Sequence, residues 1–307
     1  MKDQADSLRK AIERLGAVHI ADPAVEFLEK RGSGLSRVIT VAGGKSGVGK
    51  TSVSVNLALA LCELKYKTLL IDADIGIDNA EACFGIIPGC GLYDVINNAK
   101  TSREVIRDGP GGVKIISGGS GLEAFIRMEG SQTAAFISEM SELDDEFDVI
   151  IIDAGAGISD TVLSITTAAD DAIIVATPEP SALTDAYALI KAMAAREREN
   201  RIRILVNRAS AKREADEIMT KLASTVDKFL DLKIHKLGYM LYDPLVVRSI
   251  KLQLPFFIES PYSQTSNRIR EIALRLMDVT EFANIGKVRG MSGFLDRVAK
   301  FINIQFK

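Results

Sequence analysis

Gly44-Lys45-Ser46-Gly47-Val48-Gly49-Lys50-Thr51 satisfies the phosphate-binding pattern G-x-x-x-x-G-K-[ST]. The run before it, Arg37 to Ala42, is apolar and β-branched and reads as a strand. The run after it, Thr51 to Leu64, places Val53, Leu57, Ala60, Leu61 and Leu64 at helical spacing. Strand, glycine loop and helix is the context this pattern requires. Glycines let the backbone fold into a nest of inward-pointing N–H groups, and the helix N-terminus adds partial positive charge at the same point. Lys50 supplies a full charge for the β- and γ-phosphates, and Thr51 a hydroxyl for Mg²⁺. The octet, together with Ser52 behind it, forms the candidate nucleotide contact.

Lys45 is a second lysine inside the loop, at a position the general pattern leaves variable. Lys50 already serves the chain's own phosphates. Two readings stay open on spacing alone. Lys45 reaches a nucleotide held by another subunit, as an arginine finger does, or it is a solvated surface lysine.

The chain has 307 residues, 47% of them hydrophobic, with no tryptophan and a net charge of −3. That length suits one large α/β domain or two small ones. The charge argues against bulk electrostatic binding of nucleic acid, so no direct nucleic-acid partner is expected. Cys62, Cys83 and Cys90 form no CxxC, and an odd thiol count without a secretory leader fits the cytosol. Cys62 falls in a helical pattern as a small hydrophobe. No apolar run is long enough for a membrane span.

Three zones follow. Residues 1–36 form an arm, with Ala5, Leu8, Ile12 and Leu15 on one helical face and a second short helix starting at Asp22-Pro23. Residues 37–285 alternate strands with helices. The expected strands are Arg37–Ala42, Thr68–Asp72, Val113–Ser117, Phe147–Asp153, Asp171–Thr177, Ile202–Asn207 and Lys236–Met240. The expected helices are Thr51–Leu64, Thr133–Leu143, Ser159–Ala169, Leu183–Glu199, Lys212–Leu232 and Gln264–Ala283. The fold class is therefore α/β, a mostly parallel sheet with helices on both faces and ligands at the carboxyl ends of the strands. The charge runs Asp144-Asp-Glu146 and Arg196-Glu-Arg-Glu199 read as solvated helix ends or faces.

Residues 286–307 form a tail. Gly286, Gly290 and Gly293 loosen the chain, and a helix begins at Phe294. Phe294, Leu295, Val298, Phe301, Ile302 and Phe306 share one face, and the other is net basic. Such a helix suits an anionic membrane surface. It equally suits docking on the body or on a partner, and the pattern does not choose.

Acidic residues complete the candidate site. The strand Thr68–Asp72 runs into Asp72-Ala-Asp74-Ile-Gly76-Ile-Asp-Asn79. Asp74 is placed to orient a water against the γ-phosphate or to accept its proton, and Asn79 brings an amide to the same side. Asp153 closes an apolar strand in the Walker B manner, holding Mg²⁺ directly or through water, and the glycines behind it permit a moving loop. Asn207 closes another strand near the expected base. Ser210 stands where a guanine-specific element needs aspartate, which favours ATP.

With these residues assembled, the loop with its extra lysine resembles the deviant Walker A loop of the MinD/ParA ATPases. Asp72-Ala-Asp74-Ile-Gly76…Asn79 and Asp153-Ala-Gly-Ala-Gly157-Ile-Ser159 resemble their two switch segments. Within them the chain is most similar to the FlhG (FleN, YlxH) family of flagellar number regulators. The start Asp3-Gln4-Ala5-Asp-Ser-Leu8-Arg9, the stretch Thr177-Pro-Glu-Pro180-Ser-Ala-Leu-Thr184-Asp185-Ala-Tyr187 and the tail from Ser292-Gly-Phe294 carry that likeness.

The resemblance implies a Mg²⁺-dependent ATPase working as an ATP-sandwiched homodimer, cytoplasmic and peripheral to the inner face of the cell membrane. Lys45 would contact the partner's phosphates. Thr51, Asp74 and Asp153 would serve the metal site, and Asn207 would read adenine. Asp3, Gln4, Ala5, Leu8 and Arg9 would stimulate the GTPase FlhF, with flagellar switch-complex proteins as further partners. Ser46 departs from the family's usual glycine and would be strained if its φ were positive. A DNA-partitioning ATPase would need a basic surface, and an iron–sulfur carrier a cysteine pair. A nucleotide-binding scaffold without useful hydrolysis is the remaining alternative.

Overall fold

A computed structural model describes residues 35–74, 80–87, 89–128, 131–198, 201–278 and 288–303. Eight strands form one sheet: β1 (Arg37–Gly43), β2 (Thr68–Asp72), β3 (Arg107–Asp108), β4 (Lys114–Ser117), β5 (Val149–Ala156), β6 (Asp171–Ala176), β7 (Arg201–Ala209) and β8 (His235–Leu241). Their order is β3-β4-β2-β5-β1-β6-β7-β8. Neighbours are parallel except the two-residue β3 against β4. β1, β2 and β6 are buried along their whole length, which is why they read as unbroken apolar runs.

The helices are α1 (Lys50–Glu63), α2 (Ala80–Cys83), α3 (Leu92–Ile96), α4 (Gly119–Ile126), α5 (Ser131–Ser141), α6 (Leu143–Glu146), α7 (Asp160–Ala168), α8 (Pro180–Arg196), α9 (Lys212–Leu230), α10 (Pro244–Leu252), α11 (Phe256–Glu259), α12 (Gln264–Leu276) and α13 (Gly290–Asn303). Each of the seven expected strands is present within a few residues. Phe147 and Asp148 fall before β5, and β3 was not foreseen. The short helices α2, α3, α4, α10 and α11 were not foreseen either.

At the amino ends of the central strands sits a buried ion cluster. Arg37 Nε and Nη2 donate to Asp171 Oδ2 at 2.8 and 2.6 Å, and Arg203 Nε to Asp171 Oδ1 at 2.8 Å. Burial alone would raise the Asp171 pKa, but Arg37, Arg203 and Arg201 hold it below the usual carboxylate range. Arg37 also donates to the Leu276 carbonyl at 2.7 Å, tying the end of α12 to β1. All of this lies at the edge opposite the phosphate loop, so it is structural.

In the tail one expectation fails, and of the readings left open the helix adopts docking on the body. α13 begins at Gly290, so Gly290 and Gly293 are inside the helix rather than loosening the chain before it. Its apolar face does not meet solvent or lipid here. Phe294, Leu295, Val298, Phe301 and Ile302 are buried in the core formed with Val38, Ile150, Ile165 and Met140. Helical periodicity states that a face must be covered and is silent on what covers it. Phe306 lies outside the described residues, as do the arm helices and the 285/286 boundary.

Polar anchors hold α13 down. Met291 N–H donates to Asp144 Oδ1 at 2.9 Å and Oδ2 at 3.1 Å. Gly290 has φ +70°, and a Cβ there would sit 2.5 Å from Asp144 Oδ2. Arg297 donates to the Thr167 and Ala168 carbonyls. The Ser36 N–H donates to the same Asp144 Oδ1 at 3.0 Å. Asp144 is thus a buried cap rather than part of a solvated acidic run. A charge run by itself does not reveal that two distant amides converge on it.

Candidate functional site

The phosphate loop joins β1 to α1 at the carboxyl edge of the sheet. Gly47 and Gly49 have φ of +78° and +95°, a region that costs other residues strain. Ser46 is not among the positive-φ residues, so the strain considered for it does not arise. Gly44 is needed for a different reason. A Cβ there would lie 2.3 Å from the Asp185 carbonyl, because the start of α8 packs directly on the loop. Lys50 opens α1 and is buried, and Gly49 offers no side-chain cap. The first amides of α1 therefore remain available to an anion in the loop.

Asn207 does not stand apart facing a base. Its Nδ2 donates to the Val48 carbonyl at 2.8 Å, and its Oδ1 accepts from the Arg208 N–H at 2.9 Å. The amide braces the phosphate loop, and contact with a base would draw on its second amide hydrogen. On the other flank, the Gly157 N–H donates to the Gly43 carbonyl at 3.1 Å, joining the glycine segment after β5 to the loop.

The carboxylates come from neighbouring strands, with Asp72 and Asp153 directly paired across β2 and β5. Asp153 is fully buried. Its Oδ1 accepts from Ser54 Oγ at 2.9 Å, while Oδ2 has no hydrogen-bond partner. Burial pushes its pKa up to about 6, against the pull of the nearby Thr51 and Ser54 hydroxyls and the Lys50 ammonium. Asp72 is pushed up to about 7, by burial first and by the Asp153 charge second. It accepts from Ala80 N–H at 2.7 Å and Asp74 N–H at 3.1 Å. The Asp74 carboxylate is half-buried and lies 3.6 Å from where a Cβ on Gly155 would be. Asn79 lies outside the described residues, as do Asp3, Gln4, Ala5, Leu8 and Arg9.

An unpartnered buried carboxylate oxygen beside a hydroxyl and a phosphate cradle fits Mg²⁺, which takes one or two carboxylates and fills its shell with water and phosphate oxygens. Among the described residues no group of three or more His, Cys, Asp or Glu could hold a metal. Thr51 and Asp153 would hold Mg²⁺, with Asp74 beside them. When bound it would neutralise charge on the β- and γ-phosphates. Lys50 and the α1 amides would bind the phosphates, and Asp74 would orient the attacking water.

Lys45 Nζ is turned sideways, 2.9 Å from Glu179 Oε2 and 3.0 Å from Ser181 Oγ. Its side chain is about half exposed and pairs within its own subunit. The stretch containing Glu179 also lines a groove between α8 and α9, through Pro178, Pro180, Leu183 and Tyr187 facing Ile218 and Leu222. Sequence reasoning did not select Ser54, Glu179 or Asp144. Only Glu179 carried a signal, lying in the family-like Thr177–Tyr187 stretch.

Residues 34–277 match the family model ParA, described as NUBPL iron-transfer P-loop NTPase. The chain is 38% identical over 240 residues to the antiactivator FleN of Pseudomonas aeruginosa, covering 78% of this chain and 86% of that protein. It is 29% identical over 279 residues to the flagellum site-determining protein YlxH of Helicobacter pylori, covering 90% and 93%. Among solved structures, the septum site-determining protein MinD of Pyrococcus horikoshii, complexed with Mg-ADP, superposes with a TM-score of 0.64 at 21% identity, covering 81% and 98%. The mostly parallel eight-stranded sheet and the phosphate loop accord with these matches: the chain belongs to the ParA family of P-loop NTPases, in its FlhG/FleN-type branch.

Proposed function

We propose that this ATPase controls the number or placement of flagella by switching between a resting monomer and an ATP-closed dimer on the membrane. The observation that carries the reading is the position of Lys45. It stands at the mouth of its own loop, half-exposed, on a bond to Glu179 that a second copy can displace. In the dimer two ATP molecules are enclosed, and each Lys45 reaches the partner's phosphates.

Closure also bears on the tail. At rest α13 lies in the core, so membrane recruitment requires its apolar face to leave the body. Two released helices on one dimer gain avidity that one short helix lacks. No helix among the described residues is long and apolar enough to cross a membrane. Hydrolysis, with Asp74 positioning the water, ends the membrane-bound state. The arm around Asp3 to Arg9 stimulates an FlhF-type GTPase, and flagellar switch-complex proteins are further partners.

The test is mass by light scattering of the Asp74→Ala chain with ATP and with ADP, with and without anionic liposomes. A dimer with ATP that co-sediments with lipid supports the reading. A monomer in both nucleotides overturns it. Flagella counted in cells carrying the same variant separate a flagellar role from positioning of another cargo.

A further inference from the structure

Ser54 lies one turn beyond Lys50 on α1 and is fully buried. Its hydroxyl has one proton and two acceptors in reach, the Lys50 carbonyl at 3.1 Å and Asp153 Oδ1 at 2.9 Å. The carboxylate is the shorter contact and the more strongly polarised acceptor. A bond at one oxygen removes the equivalence of the two. Asp153 can otherwise turn about its last torsion and exchange Oδ1 with Oδ2. With Oδ1 held, Oδ2 is left buried and unpartnered beside Thr51 and the phosphate loop.

We propose that Ser54 is a positioning residue that fixes the carboxylate plane of Asp153 and so presents a single oxygen, Oδ2, to the nucleotide-bound divalent cation or to a water of its shell. Ser54 touches neither nucleotide nor cation. The inference rests on the ATPase reading of the site and adds a support to its metal position. It also gives a serine in the middle of a helix a reason to be there, since such a hydroxyl otherwise only back-bonds to its own helix. The competing account is a core serine that anchors α1 to β5 and has no bearing on the cation.

The experiment measures two bindings on the full-length chain. Fluorescent ADP is titrated in EDTA, and Mn²⁺ is then titrated into the ADP complex and followed by electron paramagnetic resonance. Wild type must bind both, and failure there overturns the ATPase reading itself. In Ser54→Ala the affinity for ADP in EDTA stays within about twofold, while the Mn²⁺ concentration at half-saturation rises about tenfold, the usual size of a lost support behind a metal ligand. Ser54→Thr, which keeps the hydroxyl, recovers most of that loss. Should the alanine chain fail to fold, Ser54→Cys keeps the volume, gives up the strong donor and carries the same expectation. Unchanged Mn²⁺ half-saturation in a folded variant, or a fall in metal-free ADP affinity that matches the Mn²⁺ effect, overturns the proposal and leaves Ser54 as an anchor.

Discussion

Lys45 Nζ lies 2.9 Å from Glu179 Oε2, and both side chains are partly open to solvent. An ion pair this open to solvent contributes little to stability and weakens with salt. Lys45 can therefore leave Glu179 at little cost. Lys45→Ala is expected to keep ATP binding, since Lys50 and the α1 amides remain, and to lose ATP-dependent dimerisation and liposome co-sedimentation. Light scattering with ATP decides it. A variant that still dimerises removes the cross-subunit role.

Asp74 is expected to govern turnover rather than nucleotide affinity. Asp74→Ala should lower phosphate release at least ~100-fold, the lower range for a group that positions or deprotonates a nucleophile, with ATP affinity little changed. Single-turnover phosphate release is the measurement, and normal turnover would remove Asp74 from its role.

Gly290 is the sharpest point at which to loosen the tail. Alanine there meets a positive φ and the Asp144 carboxylate together, at a cost of at least about 1–2 kcal/mol. Gly290→Ala should speed proteolysis of the tail and give liposome binding without ATP, while the body's fold persists. Hydrogen exchange at Met291 and its neighbours reads the undocking directly.

Asp170 gives a pH prediction. Burial pushes its carboxyl up to about 6, against the pull of the Val38 and Arg289 amides. Unfolded, it titrates near ~3.9. Its folded pKa is the higher one, so the folded chain holds a proton that the unfolded chain has lost between those values. That contribution is full below about pH 4 and is lost as pH rises through 6. Asp170→Asn removes the titration. Relative to wild type, its unfolding free energy should gain about 1 kcal/mol between pH 5 and pH 7.5. Parallel curves over that range would place the Asp170 pKa below 5.

The βα alternation was legible because strands buried on both faces are continuous apolar runs and the phosphate loop fixes its own flanks. Gly47 and Gly49 could be read for the same local reason. Long-range partners could not be. Asn207 ends a strand as expected, yet its amide is engaged by a loop 159 positions earlier in the chain. Asp144 looked like part of a solvated acidic run because its two amide partners lie 108 and 147 positions away. Gly290 looked like a breaker because its close approach to that same distant carboxylate cannot be read locally. α10 was not foreseen because most of its apolar side chains, among them Val247 and Ile250, are exposed.

The amides of Ser36 and Met291 both lie within 3.0 Å of one Asp144 oxygen, which puts them no more than about 6 Å apart. The start of β1 and the start of α13 are therefore adjacent, and one carboxylate caps both. Loss of Asp144 would loosen the two segments together, so that freeing the tail also frays the entry to the central strand.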